Sequence, residues 1–312
     1  MSTEVPSVLR PSYLYVPTSS DRMLGKSLSS PSDVIIYDLE DGVPPLPADK
    51  SNARERLKDF LGGRNFLDPR RIAVRINDIT TPYFQDDIAQ IASSPAVQTL
   101  VLPKIHSPQD LHHVSREIYL ASQKTPRQVP LNIVSSVESA RASFNLGGIA
   151  GWKSEYGMEG GRLTALLFAA EDYCADTSII RSPTRQELLY TRSQIVIVAK
   201  AFGLDAIDMV CVNYKDFDIL RDECHEGRRL GFTGKQAIHP AQVEIIQSAF
   251  APTSEEILRA AKIIHGLELA HSQAKGAVGL EGEMIDAPML KQAEHTIKIA
   301  RAAGLHIPVI AA

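Results

Sequence analysis

The chain has 312 residues, which is enough for a sizeable core and normal for a single α/β barrel. Its hydrophobic content of 44% and charged content of 22% are typical of a soluble globular protein. A net charge of −4 argues against a general nucleic-acid or anionic-membrane binder, and no run approaches the ~18 apolar residues of a membrane span.

The cysteines predict a reducing compartment. Cys174, Cys211 and Cys224 form no CxxC pair and no zinc pattern, so we expect no structural disulfide. Cys211 lies in the apolar run DMVCV and is predicted to be a core residue.

The N-terminus has no apolar signal core, and Glu4 is unfavourable in a transit peptide. We therefore expect a cytoplasmic protein, with a mitochondrial location as the alternative.

Apolar runs that are typical of β-strands recur along the whole chain. The last of them is weak as a strand by its composition. The eight runs lie at residues 13–17, 33–41, 72–77, 99–105, 131–139, 165–173, 208–214 and 231–240.

Stretches with helical periodicity lie between these runs. Residues 51–61 place their apolar side chains on one face, and residues 107–121 begin with a Ser-Pro helix start. Residues 182–204 form the longest predicted helix, with Gly203 as a plausible C-cap. Strands that alternate with helices in this way indicate βαβ units and a parallel sheet.

Eight such units predict an α/β fold, a (β/α)₈ TIM barrel, over residues 10–250. An open doubly wound sheet is the alternative, although no GxGxxG motif opens the first helix. After Pro252 the pattern becomes helical, with a Gly-rich loop at 276–283 between two helical runs. We therefore predict a C-terminal helical extension over residues 251–312.

Polar side chains stand where the apolar runs stop. The carboxyl ends of barrel strands form the active site, so these side chains are candidates for one cluster. Crowded carboxylates cannot all stay ionised without a cation, and oxygen ligands without a His/Cys cluster favour Mg²⁺ or Mn²⁺. The candidates are Asp38, Glu40, Asp41, Arg75, Asn77, Lys104, Glu138, Glu171, Asp172, Asn213, Lys235, Gln236 and His239.

Nine short motifs occur in a characteristic order: YLYVPTSSDRMLGK, YDLEDGV, VRIN, LPKI, VESA, FAAEDY, AKAFGLDAIDMV, GFTGKQAIHPAQV and GEMIDAPMLKQA. In this order and near this spacing they resemble the citrate lyase beta-subunit family of the HpcH/HpaI aldolase superfamily. The resemblance runs from about residue 10 to 300 and is strongest to stand-alone members of the citramalyl-CoA lyase and malyl-CoA lyase type. It implies a homotrimer of TIM barrels that uses Mg²⁺ to make or break a C–C bond beside an acyl-CoA thioester.

The resemblance also implies roles for single residues. Glu138 in VES and Asp172 in AED match the two Mg²⁺ ligands, with Mn²⁺ as a possible substitute. Arg75 in VRIN matches a catalytic residue that binds substrate and faces the thioester oxygen. Glu40 and Asp41 are then expected to orient metal-bound waters without coordinating the metal, and to pair with Arg75 or Lys104 at the barrel mouth.

Two segments match the positions that hold CoA and substrate. The first contributes Tyr15, Arg22 and Lys26, where Arg22 replaces a lysine of some relatives. The second lines the same ligand groove and consists of Gln236, Ala237, Ile238 and His239.

Asp286 in GEMID matches the catalytic acid/base, which the family supplies across the subunit interface from a neighbouring protomer's C-terminal segment. The extension would thus carry both a lid loop and a catalytic residue. From the residues alone, a helix N-cap before Ala287-Pro288-Met289 is favoured for Asp286, and only the motif match indicates a catalytic role.

The predicted function is cleavage of citramalyl-CoA to acetyl-CoA and pyruvate, of malyl-CoA to acetyl-CoA and glyoxylate, or of both. Two departures from the family, Ala169-Ala170 before AED and VES in place of VET, lie beside the metal ligands and leave the 2-oxo acid open. A malyl-CoA thioesterase or malate synthase activity is the first alternative. A non-catalytic acyl-CoA-binding subunit of a larger complex is the second.

Overall fold

The computed structural model describes residues 9–63 and 68–310. The chain folds into two compact units, one over Arg10–Ile246 and one that contains the chain from Gln247 onward. The domain limits of 10–250 and 251–312 stay predictions. In the described ranges, no helix is both long enough and apolar enough to cross a membrane.

Eight parallel strands form the first unit, and they close into a barrel in sequence order. Strand β8 pairs with β1, with Tyr13 opposite Gln236, which completes the ring. The predicted (β/α)₈ barrel is therefore confirmed, and the open sheet is excluded. The strands are β1 Ser12–Pro17, β2 Val34–Asp38, β3 Ile72–Arg75, β4 Thr99–Leu102, β5 Asn132–Val137, β6 Arg162–Phe168, β7 Asp205–Asp208 and β8 Gly234–Ala237.

Helices follow the strands along the chain, as βαβ connections require. The ninth helix ends at a glycine in the left-handed region, Gly231, and the eighth ends in the same way at Gly203, the predicted C-cap. The helices are α1 Asp21–Ser27, α2 Pro47–Gly62, α3 Phe84–Ala92, α4 Pro108–Lys124, α5 Ala140–Phe144, α6 Leu146–Ala150, α7 Ala170–Thr177, α8 Leu189–Phe202, α9 Phe217–Leu230 and α10 Val243–Phe250.

The barrel interior is filled by alternate residues of the strands, because side chains point to opposite faces with a period of two. These apolar residues are buried and form one cluster: Tyr13, Val34, Ile36, Ala73, Val101, Val134, Ala165, Leu167 and Ile207. The same inward face continues toward the carboxyl ends as Tyr15, Asp38, Arg75, Ser136 and Gln236. The interior of the barrel is thus apolar at its centre and polar at the carboxyl ends of the strands. We call this polar end the mouth.

Two strand predictions were misplaced. Strand β6 ends at Phe168, and the residues AEDY begin helix α7, where acidic side chains are favourable in the first turn. Strand β7 occupies Asp205–Asp208 and not 208–214. Met209 and Cys211, which follow that strand in the chain, are completely buried. The apolar run DMVCV therefore indicated buried residues, not a β-strand. Asp172 therefore lies on a helix, not at the end of a strand.

The second unit contains two helices, α11 Ser254–Ser272 and α12 Ala287–Ala302, so the helical extension is confirmed. The Gly-rich loop predicted at 276–283 is wrong. Strands β9 Val278–Leu280 and β10 Glu283–Ile285 form an antiparallel hairpin there. Its two-residue turn has positive φ at Glu281 (52°) and Gly282 (90°), which matches the twist of a hairpin and explains the glycine.

The three cysteines are free and buried, and Cys211 is a core residue as predicted.

Candidate active site at the carboxyl end of the barrel

Arg75 lies at the centre of the polar mouth and is held by Asp38. The two residues are opposite each other on neighbouring strands β3 and β2. Arg75 Nε and Nη2 donate to the two Asp38 oxygens at 2.8 and 2.7 Å, and the guanidinium lies 4.9 Å from the centre of the Tyr15 ring. Burial lowers the pKa of Arg75, but Asp38 and Glu40 outweigh it and hold this pKa above its usual range. The arginine is a fixed cation.

Asp38 also shapes the loop that follows its strand. Its two oxygens accept the backbone N–H groups of Glu40 (3.0 Å) and Gly42 (2.8 Å). A Cβ at Gly42 would lie 2.7 Å from Asp38 Oδ2, so only glycine allows this approach. Asp38 therefore fixes both Arg75 and the turn that carries Glu40.

Glu40 bridges two cations at the mouth. One oxygen lies 3.0 Å from Arg75 Nη1, and the other accepts from Lys104 Nζ at 2.6 Å. Burial raises the pKa of Glu40 to about 7, although Arg75 and Lys104 both act to lower it. Asp41 is mostly exposed and lies 3.2 Å from Arg75 Nη1. The structure thus contains the expected pairs of Glu40 and Asp41 with Arg75 and of Glu40 with Lys104.

Lys104 also binds Glu138 through its backbone. Its φ of 51° lies in the left-handed region, which is uncommon for a residue with a side chain and occurs often at functional sites. In this conformation its N–H donates a short hydrogen bond to Glu138 Oε1, and Ser136 Oγ donates to Oε2 at 2.8 Å. Each Glu138 oxygen keeps a further lone pair, so the carboxylate can still bind a cation.

Glu138 and Asp172 interact electrostatically. Burial raises the pKa of Glu138, and the nearby Asp172 carboxylate acts in the same direction, against Ser136 and Lys104. Asp172 is exposed in the first turn of α7. A cation between the two carboxylates would relieve their repulsion, so this donor set fits a hard metal ion.

A metal at this site would have only two carboxylates from the chain. Within residues 9–63 and 68–310, no group of three His, Cys, Asp or Glu side chains is arranged to hold a metal. Mg²⁺ is often bound by one or two carboxylates, with waters and substrate oxygens completing its coordination.

The candidate CoA residues differ in exposure. Arg22 and Lys26 lie four residues apart on α1, on one exposed face. Tyr15 Oη donates to Gln236 Oε1 at 3.1 Å, and Gln236 Nε2 donates to the carbonyls of Phe168 and Asp208.

Gln236 is thus occupied by hydrogen bonds within the barrel, and Ala237 is completely buried. Ile238 and His239 are exposed. The His239 ring lies 5.3 Å from that of Tyr214, and its Nδ1 accepts the Ala241 N–H. Only these last two residues of the run present side chains at the surface.

Asp286 stands at the N-cap position of α12, directly after β10. Its side chain is exposed and makes no capping hydrogen bond. The N-cap alternative is therefore right about the position but not about the bond. Its catalytic role stays a prediction.

Three residues that build the mouth received no assigned role from the sequence: Asp38 was only one of the candidates at the strand ends, and Ser136 and Lys50 were not candidates. Asp38 lies two residues before Glu40, and Ser136 lies two residues before Glu138. Because side chains alternate between the two faces of a strand, the sequence could have predicted that both point into the barrel. Lys50 on α2 is buried, and its Nζ donates to the carbonyls of Leu39 (2.9 Å) and Glu40 (2.7 Å). No pattern in the sequence signalled this contact, because it joins a helix to a loop.

Known proteins match most of this chain. The model of the family described as HpcH/HpaI aldolase/citrate lyase matches residues 11–240. Human mitochondrial citramalyl-CoA lyase is 33% identical over 294 residues, which are 93% of this chain and 85% of that protein. The (3S)-malyl-CoA thioesterase of Cereibacter sphaeroides is also 33% identical, over 93% of this chain and 94% of the thioesterase.

Solved structures agree with the architecture. CitE of Mycobacterium tuberculosis in complex with magnesium, acetoacetate and coenzyme A has a TM-score of 0.73 at 29% identity, over 94% of this chain and 98% of its own. A citrate lyase of Burkholderia xenovorans has a TM-score of 0.84 at 24% identity, over 98% of this chain and 96% of its own, which is a likeness of fold.

These matches confirm the resemblance found in the motifs, and they confirm that the chain is an enzyme of the lyase class. The family match includes every strand of the barrel and both candidate metal carboxylates. This chain therefore belongs to the HpcH/HpaI aldolase/citrate lyase family.

Proposed function

We propose that the chain is a Mg²⁺-dependent carbon–carbon lyase that cleaves citramalyl-CoA to acetyl-CoA and pyruvate, malyl-CoA to acetyl-CoA and glyoxylate, or both. The observation that carries the proposal is the mouth itself, where the fixed cation Arg75 shares the inward face with Glu138, beside Asp172. The citramalyl-CoA lyase relatives, and the magnesium and CoA bound by CitE, support it.

Arg75 would lie against the thioester oxygen of the substrate. Asp38 and Glu40 hold the guanidinium before substrate binds, so little reorganisation is needed when charge develops on that oxygen. A donor of this kind contributes ~3–4 kcal/mol to transition-state stabilisation. When the C–C bond breaks, its electron pair remains on acetyl-CoA as an enolate.

Glu138 and Asp172 are the residues that would hold Mg²⁺. When bound, the ion supplies Lewis-acid stabilisation of the substrate oxygens that end in the 2-oxo acid. Lys104 and Ser136 orient Glu138 through one hydrogen bond to each oxygen. Arg22 and Lys26, both exposed on α1, would bind the CoA phosphates through their positive charge.

Asp286 would exchange a proton with the acetyl carbon: the proton that the substrate hydroxyl loses as it becomes the ketone of the 2-oxo acid would be returned, through the carboxyl group of Asp286, to the acetyl carbon of the enolate. Its carboxylate is exposed and makes no capping bond, so it can act outside its own helix. Asp286→Asn should leave CoA-ester binding nearly intact and lower turnover by roughly 10²–10⁴. Unchanged turnover would rule out this role, and loss of hydrogen–deuterium exchange at the acetyl-CoA methyl group would support it.

Thioester hydrolysis is a second candidate because the malyl-CoA thioesterase relative is as similar as the human lyase. Purified enzyme with Mg²⁺ should be given citramalyl-CoA and malyl-CoA separately, while 2-oxo acid and free thiol are both measured. A lyase releases 2-oxo acid without thiol. Free thiol in amounts equal to the CoA ester consumed would instead assign the hydrolase.

The proposal includes a homotrimer and a cytoplasmic location, with mitochondria as the alternative because the human relative is mitochondrial. Light scattering on the purified chain tests the trimer. Imaging of a tagged chain distinguishes the two compartments.

A further inference from the structure

The two proposed Mg²⁺ ligands stand on different segments of the barrel mouth. Glu138 follows strand β5, and Asp172 lies in the first turn of α7 after strand β6. The ladder between these strands ends where Ala169 N–H donates to Val137 O at 3.1 Å, before either carboxylate is reached. Something beyond the ladder has to set the separation of Glu138 and Asp172.

We propose that Asp176 is the positioning residue that sets this separation, through its hydrogen bond to the backbone of Ala140. Asp176 Oδ2 accepts the Ala140 N–H at 2.7 Å. The inference rests on the proposed function, because it takes Glu138 and Asp172 as the metal ligands.

The geometry connects the two carboxylates by a short path. Asp176 is one helical turn after Asp172, so both side chains project from the same face of α7. Ala140 is the first residue of α5 and comes two residues after Glu138. One hydrogen bond therefore joins the helix that carries one ligand to the segment that carries the other.

The other polar side-chain contacts of α7 lead away from Glu138. Tyr173 Oη lies 2.9 Å from Thr191 Oγ1 on α8, and Glu171 pairs with Arg181. Arg181 in turn lies 2.9 Å from Glu223 on α9. These hydrogen bonds and ion pairs attach α7 to the outer helices, and the Tyr173 ring packs edge-on against Phe168 on β6 at 5.4 Å. Among the side-chain hydrogen bonds of α7 in the described part of the chain, that of Asp176 is the one that reaches the segment after Glu138. The N-cap of α7, Ala169, has no capping side chain to help.

Mg²⁺ is sensitive to such a separation. It demands near-ideal octahedral geometry with oxygens at about 2.0–2.1 Å, whereas Ca²⁺ accepts about 2.3–2.6 Å and irregular coordination. A small shift of α7 should therefore weaken Mg²⁺ more than Ca²⁺. Simple attraction by the Asp176 charge would act on both divalent cations alike.

Titration calorimetry of the full chain with Mg²⁺ alone and with Ca²⁺ alone tests the proposal. Asp176→Ala removes the acceptor, and we expect it to weaken Mg²⁺ binding about 10-fold and Ca²⁺ binding less than about 3-fold. Asp176→Asn keeps an oxygen acceptor but loses the charge, so it should stay within about 2-fold of the original chain for both ions.

Two further variants are controls. Tyr173→Phe removes a hydrogen bond from the same helix to α8, and it should leave Mg²⁺ affinity within about 2-fold. Asp176 is exposed, so its loss should not prevent folding, which a melting curve checks. Asp176→Ser is too short to reach Ala140 and repeats the test if the alanine variant does not fold.

The outcomes are distinguishable. Equal losses in Asp176→Asn and Asp176→Ala, or unchanged Mg²⁺ affinity in Asp176→Ala, would overturn the positioning role while Glu138 and Asp172 remained ligands. Absence of Mg²⁺ binding in the original chain, or no effect of Glu138→Gln on it, would overturn the proposed metal site and this inference with it. A Mg²⁺-selective loss that asparagine rescues supports the proposal.

Discussion

The guanidinium of Arg75 is held by carboxylates of unequal burial. The Asp38 side chain is 5% exposed and binds it through two hydrogen bonds, whereas the Asp41 side chain is 65% exposed and binds it through one. Coulomb attraction between charges grows as water is excluded, so the two pairs should differ in energy although they share a partner.

Substitution at these two positions measures the difference. Asp38→Asn should lower the free energy of unfolding by at least about 2 kcal/mol, because the buried Arg75 guanidinium then loses its bidentate carboxylate partner. Asp41→Asn should cost less than about 1 kcal/mol. Urea denaturation followed by circular dichroism gives both values, and equal losses would contradict the assigned roles.

Glu40 predicts a pH dependence of stability. Burial raises its pKa to about 7 in the folded protein, above its value in the unfolded chain, so the folded state binds more protons between these values. Stability from this group is therefore present at low pH and is lost as pH rises through about 7.

Glu40→Gln should remove that slope. We expect the free energy of unfolding of the original chain, measured in EDTA, to fall relative to the variant by up to about 3 kcal/mol between pH 5 and 8. Parallel pH profiles for the two proteins would show that Arg75 and Lys104 keep Glu40 ionised throughout.

At the scale of elements, helix α9 packs against β7 over a buried ion pair. Asp208 on β7 and Arg192 on α8 are completely buried and bond at 2.7 Å. Gly227 on α9 lies directly against them, because a Cβ there would be 2.5 Å from Asp208 Oδ2. The helix can approach the strand only where no side chain intervenes.

Gly227→Ala should therefore destabilise the protein by about 2 kcal/mol or more, although alanine is about 1 kcal/mol better in a helix. Gly25→Ala is the matched control, since a Cβ there meets nothing within 4 Å in helix α1. That variant should be neutral or slightly stabilised. Thermal unfolding compares the two, and a stable Gly227→Ala protein would contradict the close packing.

Elements were predictable where one local pattern decided them. Eight apolar runs and their spacing predicted eight strands, and the helix over 107–121 was found as α4. Local patterns failed where burial and backbone geometry diverge. The apolar residues after Asp208 are buried without being a strand, and the Gly-rich stretch after α11 became a hairpin because Glu281 and Gly282 adopt positive φ.

At the scale of the whole molecule, the proposed trimer makes a sharp prediction about mixed assemblies. If Asp286 acts on a neighbouring protomer, each active site takes Glu138 from one chain and Asp286 from another. Glu138→Gln and Asp286→Asn chains, each inactive alone, should then recover up to about a quarter of the original activity when co-assembled in equal amounts. No recovery would place both residues of a site on one chain.

The amino-acid sequence by itself determined the number and order of the barrel strands, because apolar periodicity and turn signals are local properties. It also determined the family, through motifs at nearly every strand end. Only the tertiary structure decided which polar groups meet. The Asp38–Arg75 pair depends on the register of two strands, and the left-handed Lys104 depends on a loop. The position of Asp172 depends on where strand β6 ends and helix α7 begins. Such contacts join residues that are distant in the chain, so no local pattern encodes them.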